Sequence, residues 1–133
     1  MPEGATSGYV LGFDFGLKHI GVAVGQAVTG TASPLPPLRA KGGRPRWSEV
    51  RELLEAWQPT QLVVGLPLNM DDTDNPITVA ARKFAQALES RYPVPVTMVD
   101  ERLTTREAME LTGGDRERSH GAAAVLMVES YLR

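Results

Sequence analysis

The chain has 133 residues, 42% hydrophobic and 23% charged, with a net charge of −2 and no cysteine. Size and balance predict one domain with its own core, residues 1–133, with a flexible tip over 1–7. Lack of cysteine excludes disulfides, thiolate nucleophiles and zinc–thiolate sites. There is no membrane-length apolar run or signal-peptide pattern, which predicts a cytoplasmic protein without membrane contact. The charge excludes a global basic field.

Tyr9–Asp14 reads as a strand by its apolar, β-branched content. The turn Phe15–Gly16 follows, and Ile20–Gln26 is a second strand, so the pair forms a β-hairpin. Asp14 is the informative residue. A carboxylate at the end of a buried strand costs several kcal/mol unless a cation or donor compensates it. Thr31–Leu38 reads as an edge or irregular strand because Pro34, Pro36 and Pro37 cannot donate to a ladder. Ala40–Pro45 is a Gly/Pro/basic loop. A helix is predicted from Ser48, as N-cap, to Trp57, with Trp47, Val50, Leu53, Leu54 and Trp57 on one face.

Gln61–Leu66 is a continuous apolar run, as expected of a strand covered on both faces. Asn69–Asn75 is a polar loop, and a long helix opens at Pro76 with Asn75 as N-cap. Val94–Val99 is a strand. Thr104 with Glu107 is a capping-box pattern for a short helix, and Gly121–Leu132 is a final Ala/Val-rich helix. The order β-β-β-α-β-α-β-α-α predicts a mixed sheet with helices on its faces.

Ligands of such sheets sit beyond the carboxyl ends of parallel strands. Asp14, the turn Gly65–Asn69 and Asp100-Glu101-Arg102 all fall there. If those three strands are parallel neighbours, Asp14 and Glu101 converge, and paired carboxylates favour Mg²⁺ or Mn²⁺. Glu101 alternatively pairs with Arg102 or caps the next helix, and Asp100 could take either role. Lys18, His19 and the basic stretch with Arg44 and Arg46 are candidate phosphate contacts, or solvated turn residues. No Walker-type Gly-rich loop is present, and the length leaves no room for the second domain of a phosphotransferase.

The chain resembles the YqgF/RuvX family of Holliday-junction-resolvase-like proteins. The matching pieces are Phe13-Asp14-Phe15-Gly16 with Ile20-Gly21-Val22-Ala23, Val64-Gly65-Leu66-Pro67-Leu68-Asn69, Ala81-Arg82-Lys83-Phe84, Asp100-Glu101-Arg102-Leu103-Thr104-Thr105 and Glu129-Ser130-Tyr131. The resemblance implies an RNase H-like α/β fold, a five-stranded mixed sheet flanked by helices. It implies a metal-dependent nuclease, with Mg²⁺ or Mn²⁺, that trims the 5′ end of the small-subunit rRNA precursor. Its partners would then be RNA, branched DNA as the alternative, and the ribosome. Asp14 and Glu101 match the acidic site. Lys18, Arg102, Arg44, Arg46 and Asn69 are the expected substrate contacts. Where the family places a third acid, at the start of the last helix, this chain has His120, after a shortened loop. Two readings stay open. Either the site is altered, with His120 ligating or Asp115 or Glu117 reaching in, or the third acid is lost and the chain is a weakened nucleic-acid or ribosome binder.

Overall fold

The computed structural model describes residues 8–67, 71, 73–100 and 116–132, and only the backbone for 116–120. One sheet organises the chain. Its strands are β1 (Tyr9–Asp14), β2 (His19–Gln26), β3 (Thr31–Lys41), β4 (Arg44–Pro45), β5 (Gln61–Leu66) and β6 (Val96–Asp100). Their spatial order is β4-β3-β2-β1-β5-β6. The first four pair antiparallel, whereas β1, β5 and β6 run parallel. The helices are α1 (Trp47–Trp57), α2 (Pro76–Arg91) and α3 (Arg116–Leu132).

Strand alternation sorts the core into two layers. Leu11, Phe13, Ile20, Val22 and Val64 face α1 and α2, packing with Val50, Leu54, Phe84 and Leu88. The rings of Phe13 and Phe84 meet edge-on, with centroids 5.6 Å apart. Val10, Ala23 and Val63 face the other way, against Ala124, Met127 and Val128 of α3. That second layer is thin because the sheet carries glycine under the helix. A Cβ on Gly12 would collide with Val128 Cγ2, and one on Gly25 would fall 2.5 Å from Val128 Cγ1.

The sheet has six strands where five were expected. The extra strand is β4, which closes a hairpin with β3 through Gly42 and Gly43, paired as Lys41↔Arg44 and Ala40↔Pro45. Both glycines have positive φ, 59° and 83°, the requirement of a two-residue turn matched to strand twist. The segment read as a basic loop is therefore ordered pairing. β3 tolerates its prolines because the register with β2 slips between Ile20↔Leu38 and Val22↔Leu35. The extra residue is a bulge over Pro36 and Pro37, where ladder donors are dispensable.

Two helix starts differ from expectation. α1 begins at Trp47 with Arg46 as N-cap and no side-chain cap, so Ser48 lies inside the first turn. Packing decides this: Trp47 stacks on Phe84 with centroids 5.8 Å apart, which draws the helix back toward β4. α3 begins at Arg116 rather than Gly121. Its polar first turn has no hydrophobic period to read, yet it propagates from the packed turns that follow. The start of α2 is as expected. Asn75 accepts from Thr78 N–H while the Thr78 hydroxyl returns to the Asn75 N–H, a complete capping box. The predicted helix at Thr104 lies outside the described residues. Among the described residues, no helix is long and apolar enough to cross a membrane.

Candidate active site

The parallel register brings three strand ends to one edge. Phe13 is level with Val64 and Val64 with Met98. Asp14 is the next residue of β1, and Asp100 closes β6 opposite Leu66. Two inter-strand steps put β6 about 10 Å from β1. Of the described residues only Asp14 and Thr78 are buried polar side chains, Asp14 at 6% exposure. Thr78 is explained by structure: its hydroxyl donates to the Pro67 carbonyl and ties α2 to the segment after β5. Asp14 is the buried ionisable group at the edge.

Alternation separates the two aspartates that end strands. Asp14 shares its parity with Val10 and Gly12, the α3 side. On β6, Val96 and Met98 pack with the α1/α2 layer while Val99 packs with the α3 layer. Asp100 thus falls on the face opposite Asp14, and it is exposed. Sequence reasoning had left it interchangeable with Glu101.

α3 runs antiparallel to β1. Leu132 and Val128 lie by Gly25, Val128 and Met127 by Gly12, and Gly121 approaches Pro34. From Val128 back to His120 is about 12 Å along the axis, whereas Gly12 to Asp14 is about 7 Å along the strand. Pro34 is level with Ala23 and, through it, with Gly12, so toward its amino end α3 crosses to β3, and His120 sits in its second turn. Farther down the helix, Glu129 Oε2 accepts from the Ala32 N–H at 3.1 Å and pins α3 to β3.

The basic candidates divide. Lys18 is exposed in the loop after Asp14; its carbonyl accepts from Ala40 N–H at 2.8 Å, and the Leu17 carbonyl accepts from Gly43 N–H at 2.9 Å. Those bonds seat the β3–β4 hairpin on the loop, so Lys18 and Arg44 share one corner of the edge. Arg46 is exposed, and its carbonyl accepts from Glu49 N–H at 2.9 Å. His19 opens β2 opposite Arg39. Glu101, Arg102, Asn69 and Asp115 lie outside the described residues, as do the side chains of His120 and Glu117. Among the described residues no group of three or more His, Cys, Asp or Glu could hold a metal ion. Asp14 fits a hard dication by its oxygen chemistry and burial, but the described donors alone do not complete a set.

The fold is that of the RuvC-type resolvases. The chain aligns over 93% of its length with 93% of the Thermus thermophilus RuvC chain in complex with a Holliday junction substrate, at TM-score 0.59 and 16% identity. It aligns over 95% of its length with 79% of the yeast mitochondrial Holliday junction resolvase Ydc2, at TM-score 0.53 and 10% identity. A family model described as RuvX, Holliday junction resolvase, matches residues 8–133. The chain belongs to the RuvX family. Proteins of Salmonella typhimurium (strain LT2) and Escherichia coli O9:H4 (strain HS), each named "Putative pre-16S rRNA nuclease", are 51% identical to it, over 95% of this chain and 96% of theirs.

Proposed function

We propose that this chain is a nuclease that hydrolyses phosphodiester bonds at the 5′ end of pre-16S rRNA, and that its reaction centre is the edge where β1, β5 and β6 end. The observation that carries this reading is Asp14, the sole buried ionisable side chain among the described residues, at that edge. The 51% identity to relatives named for this activity supplies the substrate. Asp14 and Glu101 would hold Mg²⁺ or Mn²⁺. Asp100 is exposed on the face opposite Asp14, which leaves Glu101 as the proposed partner of Asp14. When bound, such an ion activates a water and offsets charge on the scissile phosphate. The remaining work falls to the chain. Lys18 and Arg44 at the loop–hairpin corner, with Arg46, Arg102 and Asn69, hold the backbone of the RNA in register. His120, in the second turn of α3, takes the third position of the site as a neutral donor. The protein acts in the cytoplasm, in contact with the ribosomal precursor.

The test is cleavage of a mimic of the pre-16S 5′ end with Mg²⁺ or Mn²⁺, comparing the native chain with Asp14→Asn. Loss of cleavage with retained fold supports the assignment, and equal cleavage removes it. His120 in place of an acid favours a second reading, a binder without turnover. That protein would hold RNA equally well in chelator, whereas the nuclease loses carboxylate-dependent Mn²⁺ uptake, measured by calorimetry, in Asp14→Asn.

A further inference from the structure

A cleft of about 410 Å³ lies between the β3–β4 hairpin and α2. Arg44 stands on the hairpin side, Lys83 and Arg91 on the helix side, and Trp47 and Phe84 are also in its lining. All three cations are exposed, and among the described residues no carboxylate lines the cleft. The chain as a whole carries −2, so this concentration of positive charge runs against its average. Arg82 of α2 is paired with Asp74, just before the helix, and among the described residues no salt bridge is seen to Arg44, Lys83 or Arg91. Three unneutralised cations around one concave surface raise the local potential for an anion.

The Arg91 guanidinium sits 4.1 Å from the centroid of the Trp47 ring, and Trp47 is itself stacked on Phe84. Cation–π contact holds the guanidinium plane over the ring while its N–H groups point outward in that plane. A pre-ordered fork loses less freedom when it meets a phosphate. Lys83 and Arg91 are eight residues apart on α2, about 12 Å along the axis. That spacing suits two phosphates of one strand better than one small anion, which needs cations that converge. The cleft's volume is that of a small-ligand pocket, too little for a duplex. It also adjoins the reaction edge. Gly43, in its lining, donates to the Leu17 carbonyl, and a Cβ there would fall 2.6 Å from the ring of Phe15, the residue after Asp14.

We propose that this cleft is a second substrate site, which takes a single-stranded RNA segment flanking the scissile phosphate. The strand crosses the sheet edge at the Phe15–Lys18 loop and lays its phosphates along Lys83 and Arg91, with Arg44 opposite. This extends the nuclease reading, on which it rests, to a face of the sheet that carries none of the proposed acids.

The experiment measures fluorescence anisotropy of a labelled single-stranded RNA 12-mer and a duplex of the same sequence, in chelator, over a salt series. Proteins are the full native chain, Asp14→Asn, the double variant Lys83→Glu with Arg91→Glu, and Arg44→Glu. Single strand is expected to bind better than duplex. The double variant should lose tenfold or more in affinity, with the slope of log affinity against log salt falling by about 1.4, two single-strand phosphate contacts. Arg44→Glu, on a different element, should lose affinity as well, while Asp14→Asn binds within twofold of native. Native-like affinity and salt slope in the double variant would overturn the proposal. So would equal competition by inorganic phosphate at matched ionic strength, which marks a small-anion site. Because binding is read without turnover, failure of the nuclease reading shows separately, as persistent cleavage by Asp14→Asn.

Discussion

Gly12 of β1 lies directly under Val128 of α3, close enough that a single methyl on the strand would enter the valine side chain. Gly12→Ala is therefore expected to destabilise the fold by about 1–3 kcal/mol through overpacking. Chemical denaturation should show it as a lower midpoint with an unchanged slope. Val128→Ala in the same chain makes room, so the double variant should be less destabilised than the two single losses added together. If His120 of α3 serves the proposed site, cleavage should fall more in Gly12→Ala than its stability loss alone accounts for.

Thr78 has no exposure and donates its hydroxyl to the Pro67 carbonyl. Thr78→Val keeps the shape but removes this donor from the part-buried Pro67 carbonyl and the acceptor of the Asn75 N–H, at an expected cost of about 1–3 kcal/mol. Thr78→Ser retains the hydroxyl and should recover most of it. Thermal melts of the three proteins make the comparison.

His120→Asp restores a charge to the proposed third position. One unit charge about 4 Å from a dication is worth about 2 kcal/mol even at the dielectric of water. Mn²⁺ affinity by calorimetry should rise roughly thirtyfold, and cleavage should rise with it at limiting metal. An unchanged affinity would place His120 outside the metal's reach.

Asp74 accepts from Arg82 Nε at 3.0 Å and from a second guanidinium nitrogen at 3.1 Å. The hydrogen bond from Arg82 is the main cause that holds the Asp74 carboxyl below its ordinary value, with the nearby positive charge adding to it. A carboxyl depressed on folding adds stability above its unfolded pKa and loses it as pH falls through the folded value. Arg82→Gln should therefore raise the Asp74 titration, followed by carboxyl NMR. Since the pair is solvent-exposed, the denaturation midpoint at neutral pH should stay within error.

Legibility in the sequence followed physical cause. β1, β2 and β5 announce themselves because each is buried on both faces or ends in a turn, and Asn75-Pro76 states the start of α2 in local chemistry alone. β4 and the length of β3 do not, because a proline-rich strand survives only through the bulge opposite Ile20–Val22, a tertiary event. Ser48 was a good capping residue overruled by Trp47 seeking Phe84. At the site, Asp14 was legible as a carboxylate at the end of a buried strand. That Asp100 faces away from Asp14 needed the parity of β6, fixed only once its pairing with β5 was known. Lys83 and Arg91 passed as an ordinary solvated helix face. Their signal is the run 76, 80, 83, 84, 87 and 91, one stripe of α2 that mixes cations with Phe84 where a plain surface would not.

Among the described residues, α3 covers the centre of one face of the sheet, and it follows every strand in the chain. During synthesis, Val10, Ala23 and Val63 leave the ribosome long before Met127 and Val128 exist to meet them. That half of the core must wait bare for its lid, exposed to chaperones and to wrong partners. A message cut short before codon 121 would yield a sheet with that apolar face uncovered, the state most prone to aggregate.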